Sequence, residues 1–406
     1  MRNIGIYIHI PFCLRKCPYC DFYSVAEVQQ GKAETDAMRG RFVKALCREI
    51  EAGGRKYGFA APEGESRQVD TIFFGGGTPS LLSADELEGI LTAVKKSFPI
   101  WENAEISMEC NPATASAARL AAYRNLGINR LSIGAQSFDD GVLRILGRLH
   151  SSADTLRTVE EARRAGFDNI SLDLMFAIPG QTEEIWKDTL RQALELNPQH
   201  ISFYSLEFMD GTPFTRQLEK GEIAETEAEA DRKMYRMALD ILGEGGFEQY
   251  EISNAAHGIG NVCRHNMKYW GLEEYLGFGP SSHSYMIGSD GRGMRFNNVS
   301  SIEKYLKSWE DHLEYAGASA VEAFSENTLI DDVSEYIFTG LRKNSGIDLG
   351  AFRRRFGKDL WEFYGDHVRE EFEEYAEGGF AVETDEKIRL TVKGMNISNR
   401  IMALFV

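Results

Sequence analysis

Strand-like runs alternate with amphipathic helical runs along the first half of this chain, and that alternation limits the fold more than any single motif does. Strands are expected at about 4–10, 69–74, 105–109, 130–134, 169–174 and 200–204. Helices are expected at about 36–52, 84–98, 115–126, 153–165 and 183–196, with a further one at 227–244. Ser83, Thr114 and Thr182 supply helix-start signals. Such a β–α order makes a parallel sheet, because parallel neighbours need a crossover connection. Six units suit an α/β fold of the open or partial (β/α)6 barrel type; a doubly wound sheet is the alternative.

Polar and glycine residues fall where these strands end. Cys13, Cys17 and Cys20 follow the first strand, and Gly75-Gly76-Gly77-Thr78-Pro79 follows the second. Glu109 closes the third, Gln136 follows the fourth, Asp173 lies near the end of the fifth, and Ser205 and Glu207 follow the sixth. A parallel barrel places all six positions on its carboxyl-end rim, where such barrels carry their chemistry.

The cysteine loop, C-x3-C-x2-C, offers three thiolates, an incomplete set for a closed structural metal site. Pro11 and Pro18 oppose a helix here, so the loop is read as wrapped around a polynuclear centre with one corner open. Zinc is the alternative, with His9 or a distant histidine as fourth ligand. Cys47, Cys110 and Cys263 are scattered and read as buried small residues. A formal net charge of −17 argues against nucleic-acid binding, which needs clustered cations. The thiols, the lack of a spanning apolar run and the strand-like start at Ile4 favour a reducing cytoplasm.

The Gly75–Gly77 run lacks the register of a nucleotide P-loop; it is expected to let backbone amides and carbonyls approach an amine or carboxylate. Glu109, Gln136, Arg148 and Asp173 together would suit a small zwitterion with hydroxyls. His265, beside Cys263, Tyr269 and Trp270, reads either as a structural histidine or as an axial ligand in a haem pocket. The chain divides at about 1–215, 216–300 and 301–406. The last part is mainly helical, with a turn at Ser345-Gly346 and a hairpin near Phe380 and Ile388, the order of a winged helix. Glu370-Glu371-Phe372-Glu373-Glu374 reads as a solvated helix face.

Tyr7-Ile8-His9-Ile10-Pro11-Phe12-Cys13, Cys17-Pro18-Tyr19-Cys20-Asp21-Phe22, Phe73–Ser80, Glu109–Pro112, Ser132–Phe138 and Asp173–Thr182 resemble, in order and spacing, the radical S-adenosylmethionine enzymes related to oxygen-independent coproporphyrinogen III oxidase. The resemblance spans nearly the whole chain. The oxidase carries a further Cys where Phe22 stands here and a longer extension ahead of its cluster motif. His265-Asn266-x-x-Tyr269-Trp270 is similar to the signature of the haem chaperone branch, the HemW-like proteins.

The resemblance implies a [4Fe–4S] cluster on Cys13, Cys17 and Cys20, with Tyr7, Tyr19, Gly76, Gly77, Thr78, Glu109, Gln136, Arg148 and Asp173 contacting S-adenosylmethionine. It implies that the methionine end chelates the open iron and that an electron can cleave the sulfonium. It also implies haem as ligand, with His265 the leading haem-site candidate, and haem-accepting proteins as partners. An electron donor such as a flavodoxin or ferredoxin is expected, nucleic acid is not, and contact with a membrane would come through the acceptor. No residue is assigned a catalytic role; oxidative decarboxylation of coproporphyrinogen III is the alternative function.

Overall fold

The computed structural model describes residues 2–58, 67–310 and 319–406. Six parallel strands come first: β1 (Arg2–Ile10), β2 (Arg67–Gly76), β3 (Ile100–Cys110), β4 (Arg130–Gln136), β5 (Ile170–Phe176) and β6 (His200–Ser205). Two short strands, β7 (Glu248–Glu251) and β8 (Asn254–Ala256), extend one side. On the other side, β9 (Tyr275–Phe278) pairs parallel to β1, and β10 (His283–Ile287), β11 (Gly293–Asn298) and β12 (Val321–Glu326) follow as an antiparallel meander. The twelve-stranded order is β12-β11-β10-β9-β1-β2-β3-β4-β5-β6-β8-β7. The order from β1 to β6 never reverses, so there is no switch point, and the doubly wound alternative falls. The sheet continues past residue 300, because β12 forms its far edge.

Period-two alternation explains why these segments are strands and which way each face points. Ile4, Ile6, Ile8 and Ile10 of β1, Ile72 and Phe74 of β2, and Leu131 and Ile133 of β4 are buried in one aliphatic core. Helices pack on that face: α1 (Lys32–Gly53), α2 (Ala84–Ser97), α3 (Ala117–Leu126), α4 (Ser152–Arg164) and α5 (Glu183–Glu195). Leu87, Ile90, Leu91 and Val94 of α2 join the same core. Ser83 caps α2 through a reciprocal box with Glu86, and Thr182 caps α5. At α3 the expected cap is corrected. Ser116 accepts from Arg119 N, whereas the Thr114 hydroxyl donates to Asn111 O at 2.9 Å and pairs with Ser80.

The alternate positions face inward and are mostly polar or aromatic. In register they read Tyr7, Phe73 and Ser107; then Glu109 and Ser132; then Asp173 and Ser202. Side chains from six adjacent strands therefore share one interior, and the sheet must curl to make it.

Helix α6 (Ala228–Glu244) packs against α5. A short helix, α7 (Arg264–Trp270), closes the end where the strands begin: the Arg264 guanidinium donates to Asp70 O and Asn103 O. The C-terminal region holds α8 (Leu329–Gly340), α9 (Leu349–Phe356) and α10 (Trp361–Glu377), with a small sheet of Ile347–Asp348, Lys387–Leu390 and Ala381–Glu383. This is the expected helix-then-hairpin order. It docks on the β7 edge, where Ile252 N donates to Arg342 O and Asn344 N to Tyr250 O. In α10, Glu370, Glu373 and Glu374 face solvent around a buried Phe372. Among the described residues no helix is long and apolar enough to cross a membrane.

Candidate functional site: the barrel interior

The cysteine loop is held by backbone bonds. Val25 N donates to Pro11 O at 2.7 Å, Val28 N to Leu14 O at 3.2 Å, and Phe214 N to Pro18 O at 3.0 Å. Gly77 N and Thr78 N reach Ile10 O and Phe12 O at 2.9 and 2.8 Å. A Cβ on Gly77 would lie 2.7 Å from Ile10 O, so the loop closes onto the glycine run only because that position has no side chain. Gly76 N donates to Glu109 Oε2 at 3.2 Å. The amides of Gly76, Gly77 and Thr78 are thus spent inside the protein, contrary to their expected use on a ligand.

The three thiols border a cavity of about 810 Å³. Thr78 Oγ1 donates to Cys13 Sγ at 3.4 Å, and Arg148 Nη1 lies 3.9 Å from Cys17 Sγ. Burial raises the Cys13 thiol and pushes Cys20 up to about 11, so both stay protonated until a cation takes the proton's place. The donor set fits an open polynuclear centre better than zinc. Among the described residues no three His, Cys, Asp or Glu side chains converge on a single ion. His9, the nearby fourth ligand considered for zinc, is engaged at both ring nitrogens, by Tyr7 OH at 3.2 Å and Tyr23 O at 2.9 Å. Each iron of a cubane needs only one protein thiolate, and three separated thiols can supply that.

Two carboxyl groups and one guanidinium face the same space. Glu109 is pushed up to about 8, chiefly by burial and then by the charge of Asp173. Burial also raises Asp173, opposed by the Ser132 hydroxyl at 2.9 Å and by Arg130. Arg148 donates to Gly134 O at 2.8 Å and leaves its Nε without a partner. Gln136 sits at φ +64°, a strained value for a residue with a side chain. Its amide crowds Gly134, where a Cβ would lie 3.0 Å away.

The thirteen residues assigned to the cluster, S-adenosylmethionine or haem line this one cavity: the three cysteines, Tyr7, Tyr19, Gly76, Gly77, Thr78, Glu109, Gln136, Arg148, Asp173 and His265. Ser205 and Glu207 do not; the Ser205 hydroxyl donates to Asp231. His265, the candidate haem residue, is among the thirteen. The residue is fully buried on α7 at the cavity floor, with Nδ1 bonded to Thr71 Oγ1 at 2.8 Å and Nε2 to Tyr269 OH at 2.9 Å. Burial depresses it to about 3, so it is neutral.

Sequence reasoning missed Arg130, Ser132 and Ser202, which sit within strands ahead of the rim. The signal for them was the polar residue at every second position of β3 to β6.

The pattern of the radical SAM superfamily matches residues 7–193, and that of the HemN C-terminal domain matches residues 327–397. The heme chaperone HemW of Lactococcus lactis is 31% identical over 98% of this chain and 96% of its own length. The heme chaperone HemW of Bacillus subtilis is 33% identical, covering 98% of each. The chain belongs to the HemW branch of the radical SAM superfamily. The mitochondrial radical S-adenosyl methionine domain-containing protein 1 of Bos taurus is 33% identical over 99% of this chain and 87% of its own. Coproporphyrinogen III oxidase (HemN) from Escherichia coli, a radical SAM enzyme, superposes with a TM-score of 0.83 at 22% identity, covering 100% of this chain and 90% of its own. That likeness fixes the fold. Membership in the superfamily implies a [4Fe–4S] cluster and S-adenosylmethionine.

Proposed function

We propose that this protein binds haem and delivers it to haemoproteins in the cytoplasm, while holding a [4Fe–4S] cluster and S-adenosylmethionine. The observation that carries the reading is the end-to-end match to proteins named heme chaperone HemW. Phe22 supports it: where the oxidase family carries a further Cys, this chain places an aromatic ring, 62% exposed, on the cavity wall.

In this reading Cys13, Cys17 and Cys20 hold the cluster. When bound, it supplies an iron with an open position for the methionine end of S-adenosylmethionine and a store for one electron. The chain does the rest. Arg148, buried beside Cys17 and without a carboxylate partner, is placed for the methionine carboxylate. Glu109 and Asp173 offset the positive sulfonium and accept from ribose hydroxyls. Tyr7 and Phe73, stacked at 6.3 Å, give an apolar wall that keeps water from that end. A flavodoxin or ferredoxin is the proposed electron donor.

Titrating the full-length protein with hemin tests the reading, alongside anaerobic incubation with coproporphyrinogen III, S-adenosylmethionine and a reductant. Haem uptake without porphyrinogen turnover is the expected result. Accumulation of protoporphyrinogen IX would replace chaperone with oxidase.

The Glu109 carboxyl makes a separate prediction. Its folded pKa of about 8 lies above the ordinary carboxylate value, so at pH 7 a cationic ligand must first displace a proton. Affinity for S-adenosylmethionine is expected to rise with pH, by up to about tenfold per unit, and to flatten above pH 8. Glu109→Gln should bind about tenfold more weakly at pH 8 and lose the parent's rise of affinity with pH. Equilibrium dialysis of labelled S-adenosylmethionine against reconstituted protein at several pH values checks both.

A further inference from the structure

We propose that Arg130, on the cavity floor beside α7, is the anion site for a propionate of bound haem; this rests on the haem chaperone reading above. Arg130 opens β4 and is 1% exposed, among the largest fully buried side chains of the fold. It borders the cavity. Its guanidinium has no hydrogen-bond or ion-pair partner among the described residues, and its Nε is buried without an acceptor. A guanidinium carries five N–H donors and is almost never fully buried unless paired.

The carboxylates that face it are committed elsewhere. Glu105 accepts from Arg264 N at 3.1 Å, His265 N at 3.3 Å and Ser107 Oγ at 3.4 Å. Asp173 accepts from Ser132 Oγ at 2.9 Å and Ser171 Oγ at 3.3 Å. Both help keep Arg130 charged from a distance, and neither forms an ion pair with it. Lys268, another buried cation at this end, shows the contrast: it pairs with Asp70 at 2.8 Å and with Glu273 at 3.1 Å. Arg130 is therefore a buried cation that still lacks a contacting anion, and the cavity is the side from which one can come.

That anion is not the methionine carboxylate of S-adenosylmethionine. Arg130 stands at the start of β4 and Gln136 at its end, roughly 20 Å along the strand toward the rim that carries the thiols. Arg148 already stands beside Cys17 at that rim. The other end of S-adenosylmethionine, its adenosine, carries no negative charge. Haem brings two propionates on a flat apolar macrocycle. The floor has walls to match: Phe73 stacks on His265 at 5.4 Å, and Tyr269 meets Tyr275 edge-on at 4.7 Å, all four bordering the cavity. The charge of Arg130 is felt at His265, so a ligand held by Arg130 lies against α7. The two oxygens of one propionate can accept two parallel N–H bonds from the guanidinium fork. No covalent bond changes and no electron moves.

The test compares hemin with hemin dimethyl ester, whose propionates are uncharged, on the full-length protein. Soret titrations give both affinities, and equilibrium dialysis gives that of labelled S-adenosylmethionine. The parent should bind hemin about tenfold or more tightly than the ester. Arg130→Gln should lose about tenfold in hemin affinity and keep its affinity for the ester, which also shows that the floor still folds. Arg130→Lys, which keeps a charge without the fork, should retain part of the preference. Binding of S-adenosylmethionine should not change. A parent without preference, or an unchanged hemin-to-ester ratio in Arg130→Gln, would overturn the assignment while leaving the chaperone reading intact. So would equal loss of both porphyrins in both variants, the mark of a structural residue, or a loss confined to S-adenosylmethionine. A parent that takes up no hemin would sink the chaperone reading together with this proposal.

Discussion

Cys17→Ala protein, purified without oxygen after cluster reconstitution, is expected to be colourless and to hold only traces of iron, against about four irons per chain in the parent. Three thiolates each anchor one iron of the proposed cluster, so losing one leaves two corners open to solvent. Cys110 borders the same cavity but is buried, and Cys263 is buried at the other end of the barrel, so neither is expected to take the place of Cys17. The fold itself should survive. Loop position is set by backbone bonds from Val25, Val28 and Phe214, none of which involves the Cys17 side chain. A change in unfolding free energy below about 1 kcal/mol is expected, as for a partly exposed loop residue. Iron and acid-labile sulfide analysis, visible absorbance and a circular-dichroism melt give the comparison. A variant that keeps its full iron content would mean the cluster is held by a different set of ligands, and a zinc-loaded parent would remove the cluster from the account.

The largest expected loss of stability lies at the other end of the barrel, in Glu105→Ala. This buried carboxylate on β3 accepts from Arg264 N at 3.1 Å and His265 N at 3.3 Å, and Cys263 Sγ lies 3.7 Å away. It thereby caps α7, and its charge also helps keep the buried Arg130 guanidinium ionised. Removing it leaves two amides unsatisfied and a buried cation short of counter-charge. Each buried amide left without a partner costs about 1–3 kcal/mol. The midpoint of denaturant unfolding should drop accordingly, and amide exchange across 263–270 should speed up before the rest of the sheet is affected. Glu105→Gln, which keeps the cap but not the charge, should fall between the two. A shift below about 1 kcal/mol in Glu105→Ala would show that α7 does not depend on this carboxylate.

The two ends of the barrel differed in how plainly the sequence showed them. Strand order was readable because the outer faces are consistently apolar: Ile4, Ile6, Ile8 and Ile10 repeat with period two. The rim was readable because chemistry-bearing residues cluster just after each strand, where glycine and proline mark the turns. The floor was not. Glu105, Arg130 and His200 occupy inward positions near the starts of their strands, away from any turn signal, and only the curl of the sheet brings them together as buried polar groups. His200 meets Ser171 at 2.8 Å and Tyr250 at 2.8 Å, contacts separated by 29 and 50 residues. The surroundings of His265 were hidden for the same reason: its motif places it beside two aromatics, but Thr71, which meets its Nδ1, lies 194 residues away. The meander from β9 to β12 was equally silent, being short strands broken by glycine and asparagine turns.

Haem transfer is the decisive measurement. Protein preloaded with one equivalent of haem, freed of excess, is mixed with an apo haemoprotein and the acceptor's own Soret band is followed. The account predicts that the acceptor gains haem while the donor loses its histidine-ligated spectrum in step, faster than an equal concentration of free hemin can reach it through a competing scavenger. Haem that stays on the donor, or reaches the acceptor only as free hemin does, would contradict delivery as this chain's function.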